Sequence, residues 1–499
     1  MSVATESAET FASLNPATGE VVAEHPVHED AAVAGALDRA REAAGWWRAL
    51  GVKERRLRLL NVKGSLARNL NRMAELIHQE TGKPLQDAQL ETIMAISHLD
   101  WAARHAGKVL GPRTVYPGLM AVNQRCVVEY QPLGVVGVIG PWNYPLFTPM
   151  GSIAYALAAG NAVVFKPSEF TPGVGVLLAE LVAAVVPEHP VLQTVTGLGP
   201  TGAALASSPA VDKIAFTGSA RTARLVMAAC ARNLTPIVAE CGGKDACIVD
   251  ADADLDAAAD AALWGAMSNA GQTCIGVERI YVVDEVYDRF LGKLTDKARD
   301  LRPGFDREAA YGPITMPGQL DIIERHIRDA LDRGGKAVVG GAESVRKPYV
   351  EPVVLTDVPD DSSAVCEETF GPTITVHRVK DLDEAVEKAN RTGYGLAGTI
   401  FSGSRARAMD AARRMRSGMT SINAFAAFAQ VAALPFGGVG ESGFGRVHGA
   451  DGLREFARAK AITRQRFATM NLASFSRTEQ EMARVLGLIT MIHGRRYKR

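Results

Sequence analysis

The chain has 499 residues, too many for one hydrophobic core, so two or three domains are expected. Apolar residues make up 47% and charged residues 22%, the make-up of a soluble globular protein. Lys+Arg and Asp+Glu both number 55, a balance that gives no global case for binding nucleic acid, membrane or an acidic partner.

The first twenty residues, MSVATESAETFASLNPATGE, lack a basic stretch followed by an apolar run, so no signal peptide is expected. Residues 30–110 are predicted as helices, because DAAVAGALDRAREAAGWW and ERRLRLLNVKGSLARNLNRMAELI repeat apolar residues at 3.6 spacing. Residues 113–132 set β-branched and aromatic residues around a Pro-Gly turn, which predicts a hairpin arm. From Gly134 short apolar runs alternate with helical stretches. GVVGVI precedes a helix to Ala159, AVVF a helix near 173–186, VLQTVT a short helix near 201–207, KIAF a helix near 219–232, and PIVAE closes the series. Such alternation predicts an α/β doubly wound parallel sheet. A second alternating region, from about Cys247 to Gly418, holds ERIYVVD, KAVVGG, PVVL, TITVHRV and AGTIF as strands. Two sheet systems predict a cleft between two α/β domains. In the tail, Met482, Val485, Leu486, Ile489 and Ile492 recur at helical spacing, with Leu488 and Met491 widening the apolar face. Arg495, Arg496, Lys498 and Arg499 follow, and no stretch of the chain reaches the roughly 20 apolar residues that span a bilayer.

Six cysteines, Cys126, Cys230, Cys241, Cys247, Cys274 and Cys366, form no CxxC or Cys/His cluster. No metal site is expected, and so few cysteines point to free thiols in a reducing, cytoplasmic compartment. Cys274 differs from the rest in lying among small and polar residues, SNAGQTCIG, where a structural cysteine would sit in an apolar run. VTGLGPTG (195–202) matches GxGxxG, but the next acid, Asp212, comes ten positions after Gly202 instead of about twenty. FTGSART offers Gly218 and Ser219 before a helix, where backbone N–H groups and a hydroxyl make a phosphate site, a weak signal when taken alone. FKPSE puts Lys166, Ser168 and Glu169 at a strand end, where they could meet ribose hydroxyls or cap a helix. GPWNYP could aim the Asn143 amide at developing negative charge, or leave it to serve its own turn. AECGGKD ends a strand on Glu240, a general base if partly buried and an ordinary surface acid otherwise. Cys241 beside it reads as a small buried residue.

Taken together and in order, PWNYPL, KPSE, FTGS, ECGGK, GQTCIG, EETFGP and PFGGVGESGFGR resemble the NAD(P)-dependent aldehyde dehydrogenase superfamily over roughly residues 10–467. The resemblance implies Cys274 as nucleophile, Glu240 as the base that activates water, and Asn143 as oxyanion donor with the Cys274 backbone N–H. It implies a cofactor site of Trp142, Lys166, Ser168, Glu169, Gly199, Gly218, Ser219, Glu368 and Phe370, and substrate-side residues Tyr144, Thr273 and Phe436. The cofactor implied is NAD, with NADP open. The implied organisation is a Rossmann-type NAD-binding domain (1–112 and 133–241), an α/β catalytic domain (242–440), a β-hairpin oligomerisation arm (113–132 and 459–467) and an amphipathic basic extension (468–499). A homodimer or homotetramer is implied.

Four departures stand out. Cys241 replaces a frequent Leu, Ala223 a frequent Gly after FTGS, and Gly440 a frequent Lys after GGV; residues 468–499 pass the usual end. Gly440 is similar to a subset that includes fatty and aromatic aldehyde enzymes. YPLFTPMGSIAYAL (144–157) carries no charge, so an apolar aldehyde is expected over a semialdehyde such as succinate semialdehyde, whose carboxylate needs a cation. An acylating enzyme that passes the thioester to coenzyme A, or a non-catalytic interaction protein on the same fold, would lack Glu240 or Cys274. For the tail, docking on a partner subunit competes with a peripheral membrane contact through residues 474–499.

Overall fold

The computed structural model describes residues 9–468 and 473–494. These fall into two compact units: one takes the chain up to Leu110 and again Gln131–Arg458, the other Gly111–Tyr130 and the chain from Ala459 on.

The larger unit contains two sheets. The first has six strands, in the order Gly443–Phe444, Ile237–Glu240, Lys213–Thr217, Val135–Ile139, Ala162–Lys166, Leu192–Thr194. All neighbours are parallel except Gly443–Phe444, which runs antiparallel with Gly443 opposite Glu240. VVGVI and AVVFK are buried at every position, as strands covered by helices on both faces must be. Chain order runs outward in one direction from Val135–Ile139 and in the other from Lys213–Thr217. The crevice of a doubly wound sheet opens at such a reversal, at the strands' C-terminal ends. Lys166, Gly218 and Glu240 stand at those ends. Helices Asp30–Ala49, Gly51–Arg68, Leu70–Thr81 and Leu85–Val109 share the first sheet's apolar core through residues such as Trp47, Leu59, Ile77 and Leu99.

The second sheet has seven strands: Lys336–Val339, Val353–Thr356, Thr373–Val379, Val277–Val283, Asp245–Val249, Gly398–Phe401 and Ser421–Ile422. Only the edge strand Lys336–Val339 is antiparallel to its neighbour. Asp245–Val249 was not among the expected strands, although DACIV is wholly buried. Only four residues, 241–244, separate it from Ile237–Glu240 of the first sheet, which leaves little composition change to see. The N-terminal hairpin Thr10–Leu14 and Val21–Pro26 was also unforeseen; it is a half-buried pair whose alternation is weak.

In the smaller unit, Arg113–Val115 pairs antiparallel with Gln124–Pro132, the expected hairpin, and Ala457–Gln465 completes a three-stranded sheet. The tail helix, Glu479–His493, starts in a capping box between Thr478 and Glu481. None of its described side chains is buried; Leu486, Leu488 and Met491 are exposed. The basic residues Arg495, Arg496, Lys498 and Arg499 lie outside the described residues. Among the described residues no helix is long and apolar enough to cross a membrane.

Candidate active site

Cys274 sits in the loop between helix Leu255–Met267 and strand Val277–Val283. The loop makes an unusual turn: Asn269 (φ 52°), Ala270 (φ 56°) and Gly271 (φ 70°) are all left-handed. For Asn and Gly this conformation is mild; for Ala it costs on the order of 1 kcal/mol. At Gly271 only hydrogen fits, since a Cβ would stand 2.1 Å from the Gly371 carbonyl oxygen. Gln272 pins the turn. Its Nε2 donates to the carbonyl oxygens of Asn269 (2.9 Å) and Pro313 (3.2 Å), and its Oε1 accepts from Thr315 N–H (2.8 Å).

Asn143 is tied to the same loop. Its Nδ2 donates to the Gln272 carbonyl at 2.9 Å, and the amide carries a second hydrogen. Its own carbonyl accepts from Asn269 Nδ2 (3.1 Å) and from Lys83 Nζ (2.7 Å). Lys83 and Glu91, absent from the sequence-derived set, form a fully buried ion pair at 2.7 Å. Glu91 Oε1 accepts the backbone N–H of Leu146 and Phe147, and Lys83 lies 4.1 Å from the Tyr144 ring centroid. The pair therefore holds the turn 143–147 from beneath. Lys83 between Gly82 and Pro84 was a faint signal; Glu91, inside an amphipathic helix, gave none.

A cavity of about 250 Å³ brings together Cys274, Glu240, Tyr144, Thr273 and Phe436. Tyr144 Oη lies 3.1 Å from Thr273 Oγ1. Asn143 joins them through the Gln272 bond. Both carboxylate oxygens of Glu240 are buried without a hydrogen-bond partner. Burial pushes its pKa well up; Arg446 opposes this and Glu455 adds to it. The expectation of partial burial thus understates its position. Burial also pushes the Cys274 thiol well up, and the carboxylates of Glu368, Asp245 and Glu240 add to it in that order. Cys241 is likewise a buried thiol, raised to about 12. Among the described residues no group of His, Cys, Asp and Glu could hold a metal ion.

The other sequence-derived residues lie outside that cavity, along the crevice. Lys166 is buried and pairs with the part-exposed Glu169 at 3.3 Å, with Ser168 Oγ donating to the same oxygen. Gly199 opens helix Gly199–Ser207, and a Cβ at Gly202 would meet Lys166 Cδ at 3.9 Å, so that helix start stands beside the lysine. Gly218 precedes Ser219, which caps helix Ala220–Ala231 by accepting Thr222 N–H at 3.2 Å. Trp142 packs edge-on to Phe370 at 5.5 Å. Glu368 accepts Gly243 N–H at 3.1 Å and is raised to about 8, by burial first and Glu278 second. Lys244, paired with Glu278, donates to Thr369 Oγ1, and Glu278 accepts the N–H of Thr369 and Phe370. That pair, missed from sequence, anchors the Glu368–Phe370 turn. A helix N-terminus, a hydroxyl cap and a buried lysine beside an acid along one crevice suit a dinucleotide's phosphates and ribose.

The profile of the aldehyde dehydrogenase family matches residues 3–462, and the chain belongs to that family. It is 39% identical over 450 residues to a Methylomonas protein named 4,4'-diapolycopene aldehyde oxidase, covering 90% of this chain and 84% of the relative. It is 37% identical over 455 residues to a Mycobacterium ulcerans protein named putative succinate-semialdehyde dehydrogenase [NADP(+)] 2, covering 90% and 87%. The solved structure of Staphylococcus aureus betaine aldehyde dehydrogenase in complex with NAD+ superposes with a TM-score of 0.88 at 30% identity, covering 94% of this chain and 96% of that one.

Proposed function

We propose that the protein oxidises apolar, aliphatic or aromatic aldehydes to carboxylic acids through a thioester on Cys274. The observation that carries the substrate class is the charge of the cavity wall. Its only Lys or Arg among the described residues is Lys83, which is consumed by Glu91 and the Asn143 carbonyl. Asp87 adds an acid to the same wall. An ω-carboxylate would enter without a free cation and against like charge, which costs several kcal/mol in a buried site. Met94, Phe147, Trp264, Phe425 and Phe436 supply apolar surface instead.

The Cys274 thiolate adds to the aldehyde carbon. Asn143 Nδ2 and the Cys274 N–H hold the resulting oxyanion. The hydrogen on that carbon would leave as hydride, for which bound NAD(P) would supply the acceptor. Cys274 is then acylated. Glu240 takes a proton from water, the water oxygen attacks the acyl carbon, and the acid leaves as the Cys274 sulfur is freed. Lys166, Ser168, Glu169, Gly199, Gly218 and Ser219 would hold the adenosine and pyrophosphate side, and Trp142, Glu368 and Phe370 the nicotinamide ribose side. NAD is the preferred cofactor, because Glu169 can accept from a ribose 2′-OH but repels a 2′-phosphate. Residues 1–112 with 133–241 serve cofactor binding and 242–440 catalysis. The arm 113–132 with 459–467 joins copies into a homodimer or homotetramer.

The test is a panel of medium-chain alkanals, benzaldehyde and succinate semialdehyde, read by NADH and NADPH formation. Alkanals or benzaldehyde are expected to give the higher kcat/KM. Succinate semialdehyde turned over far more efficiently would overturn the reading.

A further inference from the structure

The wall of the cavity is mostly apolar, yet one polar ring in it lacks a partner. His448 lines the cavity, is 3% exposed, and has its Nδ1 buried with no hydrogen bond. Buried polar atoms in native chains are almost always paired, so this exception asks for a reason. The backbone asks for one too. His448 has φ 62° and ψ 164°, a region that belongs almost entirely to glycine. Strain of that kind persists only where the surroundings enforce it.

The surroundings do enforce it. The ring is held by His98 at 4.0 Å between centroids, Phe436 at 5.2 Å, and Phe147 and Tyr155 at 5.8 Å. Gly151 makes room for it, since a Cβ there would stand 2.4 Å from His448 Nε2. The other polar groups of the cluster are satisfied. His98 Nε2 lies 3.1 Å from the Ala429 carbonyl. Tyr155 Oη donates to the Ala432 carbonyl at 3.0 Å and accepts Gly449 N–H. Ser152, the residue after Gly151, brings a buried hydroxyl to the cavity wall. Burial holds His98 down at about 4 and His448 well below the usual imidazole range, so both are neutral at pH 7. A neutral imidazole carries one donor and one acceptor. It suits an uncharged oxygen.

We propose that His448 is a specificity-determining residue of the aldehyde cavity, whose imidazole hydrogen-bonds a hydroxyl or keto oxygen carried by an otherwise apolar aldehyde. This deepens the substrate reading above and rests on it. The expected substrate has one neutral oxygen at a fixed distance from the aldehyde carbon. A site built around a hydrogen bond discriminates against the analogue that lacks it, because its own polar atom stays unpaired.

The experiment uses aldehydes of equal chain length, unsubstituted or with a hydroxyl or keto group at successive carbons, together with succinate semialdehyde. Wild type, His448→Leu and His448→Asn are compared, and kcat/KM is taken as a ratio to the unsubstituted aldehyde within each protein, so a general loss of activity cancels. In wild type one oxygen position is expected to raise kcat/KM about tenfold, the worth of one neutral hydrogen bond. The ratio should fall toward one in His448→Leu and recover in part in His448→Asn, whose amide keeps a donor and an acceptor. Wild type without any preferred oxygen position, or a preference unchanged in both variants, would overturn the proposal. If His448→Leu does not fold, the wild-type profile and His448→Asn decide by the same criteria. Succinate semialdehyde outrunning every uncharged aldehyde would sink the apolar reading itself, a different result from a flat oxygen profile among uncharged substrates.

Discussion

Cys274 and Glu240 share a buried environment that favours the protonated form of each. Burial raises the thiol and the carboxylic acid alike, and the Glu240 carboxylate adds to the repulsion around the thiolate. The sign for catalysis follows: raising the pH populates the thiolate and the carboxylate together. We therefore expect kcat/KM to rise as the pH is raised from neutrality into the alkaline range. A flat or falling profile over that range would contradict the assignment. Cys274→Ala should lower turnover by at least about a thousandfold, with the unfolding temperature retained. Turnover within tenfold of wild type would remove Cys274 from the mechanism. Glu91→Gln tests the turn that carries Asn143. Removing one partner of a buried ion pair costs about 3–5 kcal/mol, and here it also weakens two backbone bonds at Leu146 and Phe147. A lowered unfolding midpoint and a lower kcat with little change in KM are expected. An unchanged kcat would show that the pair does not position the oxyanion donor.

At the scale of elements, the reactive groups were legible because they sit at strand ends in short motifs. Glu240 closes IVAE, Lys166 closes AVVFK, and Ser219 opens a helix after KIAFT. Apolar runs and turn residues mark such places in any α/β chain. The supports were not legible. The left-handed turn through Ala270 has no local signal, since Ala disfavours it, and it stands only because Gln272 reaches Pro313 and Thr315 far along the chain. Lys83, Glu91, Lys244 and Glu278 act across the fold, and a charged residue in sequence reads first as a surface one. His448, in RVHGA, was missed because no motif singles it out. The tail helix was legible as an amphipathic period, and its apolar face is uncovered in the single chain. Docking of this helix on a partner subunit is the role we propose for it. Truncation after Phe467 should then lower the oligomeric state seen by light scattering. A truncated protein with an unchanged oligomer, together with salt-sensitive sedimentation of the full chain on anionic vesicles, would favour the membrane contact instead.

For the whole molecule, family and fold follow from features spread over nearly the entire chain, whereas substrate choice rests on a few wall residues scattered from Asp87 to His448. The relatives' names diverge accordingly, between a diapolycopene aldehyde and a semialdehyde. The proposed cofactor choice is as local, resting on Glu169 beside Lys166. A higher kcat/KM with NADP than with NAD would contradict the role given to that acid. The central claim joins both halves of the chain: Cys274 takes the acyl group and Glu240 releases it. Glu240→Gln separates these steps, because the amide cannot take a proton from water. The most direct measurement is the intact mass of Glu240→Gln mixed with NAD and a medium-chain alkanal, followed by peptide mapping. The account predicts a single burst of NADH and an added mass equal to the acyl group on the peptide that carries Cys274. Steady turnover without an adduct, or an adduct on any other residue, would contradict it.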